Sequence, residues 1–313
     1  MVRVPHAVGR LLTVGAALAL AACAPAADRL ATTANASLID QRYLTSADRH
    51  IVVDGISYRV REEGPADGAP IVLLHGFSFS LESWDKWAAD LAQDHRVIRF
   101  DLAGHGLSGP APDNRYDAKT RIGHILKLMD ALGIAHATFA GNSYGGLLAW
   151  NIAAAHPQRV DHLILVDSAA FSINAVTEKP APVPQIMRAY LLDPKPDQVK
   201  GSAGLIFADL ATVPPKRLEV MRDMIARPGN GRALIAHLEQ FTLPAPEHGL
   251  ASISAPTLIV WGRADRVIPV EQASRLHDAI RGSQLIIYDN VGHAPQEEAA
   301  DRSLKDVRKF LTD

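Results

Sequence analysis

At 313 residues, with 48% apolar and 21% charged side chains, the chain has room for one large or two medium domains around a sizeable core. A net charge of -2 leaves no surplus of cations to neutralise phosphates, which argues against a nucleic-acid partner. Cys23 is the single cysteine, so no disulfide can form within the chain.

Residues 1–22 stand apart from the rest. MVRVPHAVGR carries Arg3 and Arg10, LLTVGAALAL is apolar but short for a membrane span, and small residues follow; this is the pattern of an export signal. Leu20-Ala21-Ala22-Cys23 resembles the bacterial lipobox, in which the cysteine is lipidated and becomes the new N-terminus. That resemblance implies an exported lipoprotein held on a membrane through Cys23, because each buried acyl methylene adds about 0.8 kcal/mol. With Ala24 rather than an aspartate next, it implies outer-membrane sorting, facing the periplasm or the cell surface. The Ala/Thr/Ser-rich stretch 23–48 reads as a tether.

After the tether, HIVVDG and ISYRVREE alternate about Asp54-Gly55, which predicts a hairpin. PIVLLHG, RVIRFD, ATFAGNS, HLILVDS, TLIVWG and QLIIYDN are short apolar runs without alternation, as strands buried on both faces should be. Helix-period segments lie between them: SLESWDKWAADLA, DAKTRIGHILKLMDALG, LLAWNIAAAHP, VEQASRLHDAI and SLKDVRKFL. Alternating strands and helices predict an α/β fold with a mostly parallel central sheet and helices on both faces. Between HLILVDS and TLIVWG, about ninety residues lack a strand run, too many for a structureless loop. PQIMRAYLL, RLEVMRDMIA and GRALIAHLEQF within them predict an inserted helical cap at 169–251, flanked by core segments 49–168 and 252–313.

Ligand sites in open parallel sheets form beyond the C-terminal strand ends. HGF follows IVLL there, DLAGHGLSG follows VIRF, GNSYGG follows TFA, Asp265 follows LIVWG, and His293 follows IIYDNVG. Gly141-Asn142-Ser143-Tyr144-Gly145 fits G-x-S-x-G, a sharp strand-to-helix turn that needs small neighbours around a strained serine. A serine hydroxyl becomes a nucleophile only when a base takes its proton, and neutral histidine is the usual base near pH 7. Of thirteen histidines, His124, His136, His156, His237, His248 and His277 lie in or beside helical segments and read as structural or surface groups. His75 and His105 sit on the active edge but inside other motifs, whereas His293 follows a buried strand and Gly292. The base needs a carboxylate to fix its tautomer. Asp265 in WGRADRVIP is one candidate, and Asp167, one strand over, competes for the same imidazole.

HGF, DLAGHGLS, GNSYGG, WGRADRVIP and GHAPQEE, in that order, resemble the capped branch of the α/β-hydrolase superfamily over about His50 to Leu311. The chain order Ser, Asp, His is the one that fold uses. The resemblance implies Ser143 as nucleophile, Asp265 as acid and His293 as base, with the backbone N–H groups of Phe77 and Tyr144 as oxyanion hole. It also implies structural roles for Asp101 and Ser108. Trp84, Phe77 and Tyr144 are candidates for lining the acyl pocket.

Serine at the elbow tells against the dehalogenases and epoxide hydrolases of that superfamily, whose alkyl-enzyme intermediate requires aspartate. Carbon–carbon bond hydrolases of ring-cleavage products often show GNSMGG with a glycine-rich HG loop, whereas this chain has Tyr144 and SFSLESW. The first expectation is therefore a serine carboxylesterase acting on a small-molecule ester. The alternatives are a carbon–carbon bond hydrolase, a perhydrolase or haloperoxidase, and a noncatalytic binding protein on the same fold. No phosphate loop, dinucleotide fingerprint or metal-ligand cluster is apparent, so neither cofactor nor metal is expected.

Overall fold

The computed structural model describes residues 38–312. The export signal and the lipidation at Cys23 lie outside the described residues. No described helix is long and apolar enough to cross a membrane.

The hairpin comes first: β1 (Asp48–Val53) pairs antiparallel with β2 (Ile56–Glu63). Its two-residue turn puts Asp54 at φ 49° and Gly55 at φ 79°, both left-handed, as a right-twisted hairpin requires. The apolar runs become β3 (Ala69–Leu74), β4 (His95–Phe100), β5 (Ala137–Asn142), β6 (Val160–Val166), β7 (Thr257–Gly262) and β8 (Gln284–Tyr288). They form one eight-stranded sheet in the order β1-β2-β4-β3-β5-β6-β7-β8, antiparallel at β1-β2-β4 and parallel from β4 onward.

The absence of alternation in these runs has its cause in the packing. On β3, Val72 and Leu74 enter one apolar cluster while Ile71 and Leu73 enter another on the opposite face. Both faces are covered, so both sets of side chains must be apolar. The first face is covered by α2 (Ala118–Ala131), α3 (Tyr144–Ala155) and α9 (Glu271–Ala279), the second by α1 (Asp85–Leu91) and α11 (Ala300–Thr312). Asp117 caps α2 by accepting the Thr120 N–H at 2.9 Å, which fixes where that helix begins.

The inserted cap consists of α4 (Gln185–Leu192), α5 (Pro196–Ile206), α6 (Pro215–Ala226), α7 (Asn230–Gln240) and α8 (Glu247–Ala251), all between β6 and β7. Hydrogen bonds near the sheet edge stitch it to the core. His293 N–H donates to Ile206 O at 2.6 Å, Ala208 N–H donates to Glu298 Oε2 at 2.7 Å, and Asn230 Nδ2 donates to Gly106 O at 2.8 Å. Glu298 lies in α10 (Pro295–Glu298).

Residues 38–48, expected as the end of a tether, belong to the folded body instead. A helical turn at 38–43 sets Ile39 and Tyr43 against Leu107, Val220 and Met224. Asp40 pairs with Arg227 at 2.7 Å, while Arg42 and Tyr43 both reach Asp223 at 2.8 Å, so the segment straps cap helix α6 to the sheet. Asp48 then enters a buried network. Its carboxylate accepts from Arg59 Nε at 3.1 Å and from Arg61 at 3.0 and 2.8 Å, and Arg59 continues to Glu82 at 2.7 Å and Asp101 at 3.4 Å. Asp101 in turn accepts the N–H groups of Leu81 and Leu107, each at 2.8 Å. Ser108 Oγ donates to Asp101 O at 2.7 Å and accepts Arg59 N–H at 2.9 Å. Asp101 and Ser108 thus hold loops in place.

Candidate active site

Ser143 lies between the end of β5 and the first residue of α3, with φ 56° and ψ -117°. A non-glycine residue at positive φ is strained, and the surrounding backbone holds it there. Ser143 N–H donates to Val166 O at 2.9 Å, and Ser143 O accepts Ala169 N–H at 3.1 Å. The flanking glycines answer to close approach. A Cβ on Gly145 would stand 2.1 Å from Leu74 O and 2.7 Å from His75 O, and both are rigid backbone. One on Gly76 would stand 3.1 Å from Ser143 Cβ, so the HG loop passes directly over the serine. Gly145→Ala is expected to lower stability by about 1–3 kcal/mol, because the helix must retreat from the β3 end. Thermal unfolding measures that loss.

The same loop carries Phe77. Neither the Phe77 amide nor the Tyr144 amide, at the N-terminus of α3, has a backbone acceptor among the described residues. Both amides therefore flank the serine with unused donors, and the helix end adds positive potential. His75 holds this loop: Nδ1–H donates to Gly76 O at 2.8 Å, and Nε2 accepts Leu102 N–H at 2.9 Å. Burial pushes its imidazole down to about 4, so it is neutral at pH 7 and is occupied as a brace.

His293 and Asp265 come together from the loops after β8 and β7. Nδ1 of His293 lies 2.7 Å from Asp265 Oδ2, and the Asp265 side chain is wholly buried. Asp265 Oδ1 accepts the N–H groups of Val267 at 2.7 Å and Ile268 at 3.0 Å, which fixes the carboxylate's direction. Asn142, next to the serine, donates to His293 O at 3.0 Å and to Val166 O at 3.2 Å, which ties the histidine loop to the elbow. The Ser143 hydroxyl and His293 Nε2 make no hydrogen bond to the described protein.

Asp167 lies immediately after β6, fully buried, at φ 43°. One ligand-type atom from each of Asp167, Asp265 and His293 lies within 4.8 Å of the others, a spacing that a cation would also need. Here Asp265 Oδ2 and His293 Nδ1 are engaged with each other, leaving no space between them for an ion. Asp265 is the acid on the imidazole, and Asp167 stands behind it.

Trp84, expected near the acyl pocket, is not there. Its indole is 0% exposed and packs against Trp87 at 5.1 Å in the cluster on the far face of the sheet. The helix signal SLESWDKW contained a core face, and Trp84 lies on it. Phe77 and Tyr144 do meet the cap. Tyr144 is buried with its ring 4.2 Å from His237 and 5.7 Å from Phe241, and the Phe77 ring is 5.1 Å from His237.

Arg121 is a residue that sequence reasoning missed, and His237, read from the sequence as a structural or surface group, is buried at the cap interface. Arg121 is 2% exposed and has no carboxylate partner among the described residues; it donates to Tyr116 O, Ala103 O and His237 Nδ1, each at 3.1 Å. An arginine can only donate, so His237 accepts at Nδ1 and carries its proton on Nε2. Burial, then the Arg121 charge, holds that imidazole well below its usual range. A neutral histidine from the cap therefore sits against both residues whose amides flank Ser143. Nothing local in GRALIAHLEQF marks it, since the approach is created by the cap folding over the sheet.

The comparisons with known proteins agree with this architecture. A family model described as "alpha/beta hydrolase fold" matches residues 69–300. A curated relative, 2-hydroxymuconate semialdehyde hydrolase of Pseudomonas sp. (strain CF600), is 30% identical over 85% of this chain and 94% of its own. Among solved structures, a mutant of the meta-cleavage product hydrolase of Pseudomonas fluorescens IP01 is 25% identical with a TM-score of 0.74, covering 84% of this chain and 97% of that one. The enol-lactonase of Burkholderia xenovorans LB400 is 26% identical with a TM-score of 0.72, covering 85% of this chain and 100% of that one.

Proposed function

The chain belongs to the α/β-hydrolase family, and from that premise we propose that it hydrolyses an activated carbonyl compound through Ser143, His293 and Asp265. The observation that carries this is the 2.7 Å His293–Asp265 pair bound, through Asn142, to a serine held at φ 56°. In this mechanism Asp265 keeps the His293 proton on Nδ1, so Nε2 takes the proton of Ser143 as Oγ attacks the carbonyl. The Oγ–Nε2 contact closes when substrate binds, as such bonds commonly tighten only in the complex. The tetrahedral oxyanion rests on the Phe77 and Tyr144 amides, a type of contact whose removal costs about 3–4 kcal/mol of barrier. The imidazolium returns its proton to the departing group, and water then releases the acyl-enzyme.

The substrate reading moves from ester toward carbon–carbon cleavage. Two of the proteins named above are a 2-hydroxymuconate semialdehyde hydrolase and a meta-cleavage product hydrolase by name, which favours a vinylogous diketone over the ester expected from the sequence. In that reaction Oγ bonds to the ketone carbon, the carbon–carbon bond breaks, and the leaving carbon, its charge spread over the conjugated system, takes the proton from His293. The ester or lactone reading stays second for a specific reason. SFSLESW folds into a 3₁₀ turn at Leu81–Trp84 where a glycine-rich loop is usual, and the enol-lactonase is equally similar.

Parallel assays of a 2-hydroxy-6-oxo-dienoate and a nitrophenyl ester separate the two. The carbon–carbon reading expects kcat/KM for the dienoate to exceed that for the ester by about tenfold or more. The reverse ratio selects the ester reading, and turnover of neither class sinks the proposal.

A further inference from the structure

Two buried carboxyl groups stand behind one imidazole, and the mechanism above uses only Asp265. Asp265 receives three donors: Val267 N–H, Ile268 N–H and His293 Nδ1–H. Asp167 receives one, Gly262 N–H on Oδ1 at 3.0 Å, and its Oδ2 is buried without a partner. A carboxylate oxygen sealed from water with nothing donating to it is costly, and a second negative charge beside Asp265 compounds that cost. Both penalties vanish if Oδ2 carries a proton directed at the neighbouring carboxylate.

We propose that Asp167 is a positioning residue: a neutral carboxylic acid whose Oδ2–H donates to Asp265 and so moderates the charge that Asp265 presents to His293. The proposal rests on the Ser143–His293–Asp265 reading and deepens it. The groups facing Asp167 push mostly in one direction. Burial first, then the negative charge of Asp265 beside it, raise the Asp167 carboxyl well above the usual range, and Glu298 pushes the same way. Gly262 N–H opposes them, as a single neutral donor. His293, the remaining titratable neighbour, is already engaged by Asp265.

The consequence for activity follows from the sign. Without the donor, Asp265 attracts the imidazolium more strongly, so His293 holds its proton to higher pH and the acid limb of kcat/KM moves up. Asp167→Asn keeps an N–H donor at that position and should leave the profile in place. Asp167→Ala, which has no donor and, unlike a β-branched residue, tolerates the left-handed φ of 43° at this position, should move the acid limb up by about one pH unit. Infrared difference spectra give a readout that does not depend on turnover. Wild type at pH 7 should show a protonated-carboxyl carbonyl band that Asp167→Asn removes.

Absence of that band, or an Asp167→Ala profile that superimposes on wild type, overturns the proposal. If Ser143→Ala still abolishes turnover in that case, only the role of Asp167 has failed. If Ser143→Ala remains active, the underlying triad reading has failed instead, and the infrared band alone judges Asp167.

Discussion

Replacing Ser143 by alanine is expected to lower kcat/KM by about 10⁴-fold or more on any substrate the enzyme turns over, with the fold intact. The size comes from losing the attacking atom itself, since His293 and Asp265 have nothing to activate once Oγ is gone. A residue of catalysis survives in such variants because oxyanion donors still polarise the carbonyl for water. Stability should change by no more than about 0.5 kcal/mol, because the hydrogen bonds that hold Ser143 are those of its backbone N–H and C=O, which alanine keeps. Initial rates beside thermal melts read both halves. A variant that is inactive and also unfolded would not carry the conclusion, so the melt belongs to the test.

Asp48→Ala should produce the largest loss of stability, about 3–5 kcal/mol, from a residue far from the chemistry in the chain. Arg59 and Arg61 converge on this carboxylate; its side chain is 1% exposed and that of Arg59 is 0% exposed. Removing the acid leaves guanidinium groups buried with too few acceptors, and the disturbance runs along Arg59 to Glu82 and Asp101, which hold the loop bearing Phe77. The pH dependence has a definite sign. Burial would raise the Asp48 carboxyl, but hydrogen bonds from Arg61 and Arg59 outweigh it and hold it well below the usual range. A depressed pKa contributes stability above the unfolded value of about 3.9, and that contribution is lost as pH falls through the folded value. The gap between wild type and Asp48→Ala should therefore be full at pH 7 and narrow below about pH 4 in denaturant melts.

The sheet was legible because its strands are buried on both faces, so PIVLLHG and TLIVWG stand out as unbroken apolar runs. The serine, histidine and acid were legible because each follows such a run at the same edge. Helix α5 was not, since Gly201, Ser202 and Gly204 weaken its helical pattern and packing within the cap supplies the missing stability. The strap at 38–48 was hidden for a different reason. Its Ala/Thr/Ser-rich approach looks like a tether, and only the distant Asp223, Arg227 and Arg59 give Asp40, Tyr43 and Asp48 their partners. The pairing of His237 with Arg121 was invisible for the same cause, being made across the cap interface. Trp84 shows the opposite failure, where a plausible aromatic beside a motif turned inward to the core.

In the proposed mechanism Ser143 becomes a nucleophile because His293, oriented by Asp265, takes its proton. Fluorophosphonate labelling followed by peptide mass spectrometry tests it most directly. One adduct is expected, on the peptide containing Ser143, lost in Ser143→Ala and strongly slowed in His293→Ala. An adduct on another residue, or undiminished labelling without His293, would contradict it.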